Sequence, residues 1–236
     1  LFSVALVGNG LDCVLMIGEP QQQGDPTFEI DWCYDEINLL TKLQQYIINN
    51  DPDVIVGWNV IDFDFSLLQE RAEALGLTLS FGRDNQPLYI NKGHYTRLTL
   101  PGRCVIDGIE ALKTMTYQFE SFSLDHVSEE LLGENKLIQA ADKLEAIKRL
   151  YHSDPVALAN YNFKDTELVN RIQDKTQFID FLALRSILTG LDMSRPGGSV
   201  AAFLNVYLPK LHRKSYVAGV RPENGGLASP GGYVMR

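Results

Sequence analysis

Three cysteines are all that the 236 residues contain. Cys13, Cys33 and Cys104 are widely separated and odd in number, which excludes a disulfide framework and a Cys-x-x-Cys metal site. A reduced, cytoplasmic setting suits them. Long apolar runs are equally scarce. The run at Leu1–Val7 is too short to span a bilayer, and the stretch from Phe178 to Leu191 is broken by Asp180 and Arg185, so no membrane segment is expected. No basic-then-apolar leader opens the chain. It starts at Leu1 without an initiator Met, which reads as a piece of a longer protein. Internal repeats and low-complexity tracts are missing too. Cations are in deficit, with 21 Lys and Arg against 30 Asp and Glu and a net charge of −9. That balance counts against a grip on nucleic-acid phosphate, unless the acids serve divalent cations or another part of a parent protein carries the main DNA surface.

What is present is an ordinary globular composition, 45% hydrophobic and 22% charged, on a chain long enough to bury a core. Phe2–Val7 and Cys13–Ile17 read as two strands, joined through Gly8-Asn9-Gly10-Leu11-Asp12 as a hairpin. Asp35 is a plausible N-cap for a helix to Asn50, with Ile37, Leu40, Leu43 and Ile47 as its apolar stripe. Asp51-Pro52-Asp53 stops it. Val54 to Trp58 then reads as a strand buried on both faces, followed by a helix with Phe63, Leu67, Leu68, Ala72 and Leu75 inward and Gly76 closing it. Residues 77–103 suggest short strands and loops, and Cys104-Val105-Ile106 a buried strand ending at Asp107. Helices follow at Leu124–Leu132 (closed by Gly133), at 142–151, and from Asp154-Pro155, where Asp caps and Pro opens the helix. Composition changes near residue 188. Beyond it come a helix from Ser199 to about His212 and a Gly/Pro-rich run, Arg221–Gly232. The alternation of strand and helix defines an α/β class.

Two carboxylate-bearing segments stand out. Gly57-Trp58-Asn59-Val60-Ile61-Asp62-Phe63-Asp64 sets acids just past the C-terminal end of a strand, where open α/β sheets place ligands; the plain alternative is an Asp that caps the next helix. Asp165 follows Tyr161 by four residues, so a carboxylate and a phenol emerge on one helical face; the plain alternative is a charged helix surface. Metal-assisted phosphodiester hydrolysis needs carboxylates drawn from separate elements to hold two cations about 3.5–4 Å apart. The two segments together meet that need better than either alone.

Those segments resemble two exonuclease motifs of the family B DNA polymerases. Asn59 followed by Phe63-Asp64 is similar to the second motif, and Tyr161-Asn162-Phe163-Lys164-Asp165 to the third, Tyr-x-x-x-Asp. Ile106-Asp107-Gly108, Ser121-Phe122-Ser123-Leu124, Gly197-Gly198-Ser199 and Ser229-Pro230-Gly231-Gly232-Tyr233-Val234 extend the resemblance over nearly the whole chain. It implies a ribonuclease-H-like 3′→5′ exonuclease fold, a mixed central sheet flanked by helices, over residues 1–188. Residues 189–236 would then lead into the polymerase palm.

The resemblance also implies roles. Asp64 and Asp165 would be metal ligands for Mg²⁺ or Mn²⁺, Tyr161 would orient the attacking water, and Asn59 and Phe63 would contact substrate. The partners would be the single-stranded 3′ end of DNA, a primer-template, and the rest of a polymerase chain. The family's first motif, Asp-x-Glu, has no counterpart, because no Asp or Glu occurs before Asp12. The first strand is therefore expected to be missing and this chain to be weak or inactive as a nuclease. Asp107 reads as structural, Phe65 as a second stacking candidate or a packing residue, and Lys210, His212, Arg213, Lys214 and Arg221 as a basic, solvated stretch. The competing reading is a catalytically silent ribonuclease-H-like scaffold or nucleic-acid-binding module.

Overall fold

The computed structural model describes residues 1–8, 10–22, 27–93, 96–134 and 143–219. Strand β1 (Ser3–Gly8) turns back on β2 (Leu11–Ile17) as the expected antiparallel hairpin, with Gly8 facing Leu11. Asn9, in the turn, lies outside the described residues. Parallel to β2 runs β3 (Glu29–Cys33). Helix α1 (Glu36–Asn50) begins where the Asp35 carboxylate accepts the Asn38 amide at 2.7 Å. Its buried stripe is Leu39, Leu40, Leu43 and Ile47, while Ile37 faces solvent.

Side chains of β2 alternate between two cores. Cys13 and Leu15 join α1, whereas Val14 and Met16 face the opposite layer. All four are buried, so β2 is the strand covered on both faces. The strand expected in that role, β4 (Val54–Gly57), is only half-buried along its length. It pairs in parallel with β7 (Cys104–Asp107) and has no second strand neighbour among the described residues. Strand β1 is likewise half-buried up to Val7 and, among the described residues, paired on one edge only. A separate small hairpin is formed by β5 (Tyr89–Lys92) and β6 (Thr96–Thr99). The described strands therefore form three sheets rather than one central sheet.

Helices close the layers. After β4, a π-helical turn (Val60–Phe65) runs into α2 (Ser66–Ala74), and β7 runs into α3 (Gly108–Thr114). Next come α4 (Leu124–Leu132), capped by Ser123 and ended by left-handed Gly133, and α5 (Lys143–Ser153). Helix α6 (Pro155–Thr176) starts as expected: the Asp154 carboxylate accepts the Ala157 amide at 2.9 Å and Pro155 opens the helix. It packs across β1 and β2 and reaches β4, bridging two of the sheets. The Asn162 side-chain amide donates to Ser3 Oγ at 2.9 Å, fastening α6 to β1. Gln177, in a left-handed conformation, separates α6 from α7 (Phe178–Thr189), and α8 (Ser199–Arg213) follows. The Gly/Pro-rich run and the terminal Gly231-Gly232-Tyr233-Val234 lie outside the described residues. No helix among the described residues is long and apolar enough to cross a membrane.

Candidate functional site at the β4 and β7 ends

The turn after β4 is built by two backbone requirements. A side chain at Gly57 would put its Cβ 2.6 Å from Val60 Cβ, so the close approach of chain to chain excludes even Ala. Asn59 then adopts φ 57°, a left-handed conformation that Asn accepts more readily than most residues. The six residues from Val60 to Phe65 form a π-helical turn, a geometry common at functional sites. Its register buries Val60 and Phe65 and leaves Asn59, Asp62, Phe63 and Asp64 open to solvent. Phe65 packs edge-on against Phe81 with ring centroids 6.3 Å apart, which makes it a core residue. Phe63 is 61% exposed beside Asp64 and remains available for stacking. Replacing Gly57 by Ala should cost about 1–3 kcal/mol, as an overpacked site does. A lower urea midpoint with an unchanged slope is the expected result; an unshifted midpoint would show that Val60 can yield.

Asp64 is open to solvent on one side, yet the protein around it pushes its pKa up to about 6. Burial is the main cause, and the nearby negative charge of Asp107 adds to it. No cation among the described residues offsets it. Asp107 is also raised, chiefly by burial, and is held down by the amides of Ile109, Glu110, Asn59 and Ile61. Its carboxylate thus caps α3, accepting Ile109 N–H at 2.9 Å, and staples the end of β7 to the start of the π-turn. This is the structural role expected for it.

Linkage gives the pH sign. Between the ordinary carboxyl value of 3.8 and about 6, folded Asp64 holds more proton than it does unfolded. Stability therefore falls as pH rises through that window. In EDTA, Asp64→Asn should flatten this part of the profile, matching the parent at pH 3.5 and exceeding it at pH 7. Urea titrations across pH 3.5–7 check this; parallel curves would contradict it.

On α6, Tyr161 and Asp165 are half-buried on one face, and the phenol donates a hydrogen bond to the Asp165 carboxylate. Burial first, then Asp165, then the charge of Asp125 on α4, raise the Tyr161 pKa, so the phenol keeps its proton at any ordinary pH. Lys164 is turned elsewhere, to Glu167 at 2.9 Å and Glu134 at 3.2 Å. Glu134, held to about 2 mainly by Arg171 and then Lys164, ties the end of α4 to α6.

Each predicted pair is thus assembled locally: Asn59 and Phe63 with Asp64, and Tyr161 with Asp165. Among the described residues no group of three His, Cys, Asp or Glu side chains is close enough to hold a metal ion. Sequence reading missed Asp125, whose place near Tyr161 depends on the packing of α4 against α6. Lys210, Arg213 and Lys214 are exposed at the end of α8, where cations suit the negative helix end. Arg221 lies outside the described residues.

Residues 15–127 match the family model described as DNA polymerase family B, exonuclease domain. Those residues belong to that family. It is similar along its whole length to DNA polymerase II of Escherichia coli (strain K12), at 44% identity over 243 residues, covering 31% of that protein. DNA polymerase 1 of Pyrococcus abyssi is 30% identical over 132 residues, 52% of this chain and 17% of the relative. The DNA polymerase delta catalytic subunit of Caenorhabditis elegans is 27% identical over 190 residues, 73% of this chain and 16% of the relative. The chain therefore spans less than a third of the length of these relatives. The family match ends before α6, and the likeness to DNA polymerase II continues across Tyr161 and Asp165.

Proposed function

We propose that these residues form most of a proofreading 3′→5′ exonuclease of a DNA-directed DNA polymerase, with a ribonuclease-H-like fold that one further strand completes. The observation that carries this is the pairing pattern. Strands β1 and β4 are apolar, half-buried and, among the described residues, unpaired on one edge, while α6 lies across both of their sheets. A single extended strand between β1 and β4 would join the two sheets and satisfy both edges. An Asp-x-Glu on that strand would add two carboxylates beside the end of β4, where Asp64 sits.

The donor chemistry of Asp64 and Asp165 fits hard divalent cations such as Mg²⁺ or Mn²⁺, which take oxygen ligands. The described residues alone supply too few ligands in one place. When bound, such cations activate water and stabilise the departing 3′-oxygen of the terminal phosphodiester. The chain's own residues do the rest. Tyr161, its proton held by burial and by Asp165, orients the water. Asp64, with no cationic partner among the described residues, keeps an open demand for positive charge. Exposed Phe63 offers a ring to the terminal base, and a frayed single-stranded 3′ end reaches it more readily than a paired one. The rest of a polymerase chain and a primer-template would be the partners, in a cytoplasmic setting.

The test is a 5′-labelled single-stranded oligonucleotide incubated with Mg²⁺ or Mn²⁺ and a chain extended upstream through an Asp-x-Glu strand. Shortening one nucleotide at a time from the 3′ end supports the reading. Internal cuts, or binding without cleavage in that extended chain, would favour a nuclease of another kind or the silent scaffold.

A further inference from the structure

The π-helical turn that carries Asp64 starts without a side-chain cap of its own. Asn59 stands at its N-cap position in the left-handed conformation, and its side chain accepts no amide of the turn. The first amides of a helical segment lack partners inside it and need an acceptor from elsewhere. Asp107 supplies one from the neighbouring strand: the Asn59 and Ile61 amides donate to its carboxylate. The same carboxylate accepts the Ile109 amide at 2.9 Å and the Glu110 amide, and so caps α3 as well. An ionised carboxylate has about four acceptor sites. Here all of them go to backbone amides, which leaves Asp107 unsuited to ligate a cation.

The two junctions leave little slack. Gly57 pairs with Asp107 at the ends of β4 and β7, and β7 lies against the π-turn. A side chain at Gly108 would put its Cβ 2.9 Å from the Trp58 ring, and the Trp58 indole N–H is itself held by the Phe122 carbonyl at 2.9 Å. With both strand ends locked in this way, Asp107 fixes where the turn begins. Phe63 and Asp64 follow one turn later, the Phe63 amide donating to the Asn59 carbonyl at 3.0 Å. Both are open to solvent. A misplacement of about 1 Å at a reacting centre costs about 10²-fold in rate.

We infer that Asp107 is a positioning residue of the proposed nuclease site: from the end of β7 it holds the start of the π-turn so that Asp64 and Phe63 are presented together to metal and substrate. The inference rests on the exonuclease reading above. Asp107 has no contact with the reacting atoms in it and acts through the turn. A carboxylate is required because two junctions need acceptors at once. Serine, a good N-cap, serves α3 alone, and its one short hydroxyl does not also reach the turn.

Asp107→Ser tests this beside Asp35→Ala, which removes the cap of α1, a helix that carries no site residue. Cooperative urea unfolding verifies that each variant is folded. In EDTA, amide exchange at Asn59 and Ile61 should quicken by about tenfold or more in Asp107→Ser while Ile109 stays protected, and Asp35→Ala should leave all three unchanged. In the chain extended upstream through an Asp-x-Glu strand, Asp107→Ser should weaken Mn²⁺ binding, followed by the EPR signal of the free ion, and slow single-turnover digestion of 3′ ends, each by about 10–100-fold. Asp35→Ala loses a cap of the same kind and should do neither, so lost stability alone does not mimic the result. If Asp107→Ser does not fold, Asp107→Asn, of the same shape but with one acceptor oxygen in place of two, is read by the same three measurements. Unchanged exchange at both Asn59 and Ile61 overturns the inference, as does faster exchange with unchanged Mn²⁺ affinity and rate. An extended parent that shortens no 3′ ends refutes the exonuclease reading and the inference with it. An active parent matched by its Asp107 variant refutes the inference alone.

Discussion

On single-stranded DNA with Mg²⁺, the 236-residue chain should degrade 3′ ends at least about 10²–10³-fold more slowly than the same chain extended upstream through an Asp-x-Glu strand. In the proposed site the added strand supplies two carboxylates beside Asp64, and without it no triad of metal-binding side chains forms among the described residues. A second effect adds to the first. Among the described residues no backbone pairing joins β1 to β4, so nothing in the sheet itself fixes the distance from Asp64 to Tyr161 and Asp165. In the extended chain, Asp64→Ala and Asp165→Ala should each return the rate nearly to that of the short chain, since groups that act as a unit are not additive. Tyr161→Phe should lower kcat and leave KM nearly unchanged, because in the proposed site the phenol orients water and not the DNA. Single-turnover digestion of a 5′-labelled strand measures all four. Equal rates for the short and extended chains would end the proposal that the added strand completes the site.

The motif pair was legible because its residue types are tied to local geometry. Asn59 suits a left-handed position, Gly57 a close approach, and a spacing of four sets Tyr161 and Asp165 on one helical face. Helix starts were legible for the same reason at Asp35 and Asp154, both of which cap through their side chains; the Ser123 cap was not read. What periodicity could not show was the π-helical turn. A reading at 3.6 residues per turn puts Phe63 inward, whereas the wider turn rotates it to solvent and buries Phe65. The partners of the strands were also hidden. Val54-Ile55-Val56 reads as a strand covered on both faces, and its half-burial goes with the lack of a second strand neighbour among the described residues, which no local pattern records. The place of Asp107 between two junctions depends on β4 and β7 being paired, a long-range fact.

Phe178→Ala should destabilise the chain by about 3–5 kcal/mol, a large share of the roughly 5–15 kcal/mol that holds most domains folded. The ring is fully buried at the first residue of α7, packed in the cluster that joins β7, α3, α4 and α6. Removing it opens a cavity where α6 hands over to α7 through the left-handed Gln177, a junction with little freedom to collapse. Ile187→Ala, one helix face away, should change stability by less than about 0.5 kcal/mol, because an exposed side chain leaves no cavity. Urea denaturation of both variants sets the two faces of one helix against each other. A large loss for Phe178 alone identifies the inner face as the one that folds α7. A comparable loss for Ile187 would mean that the outer face is already covered in solution, and Ile187 would then have to be counted as core.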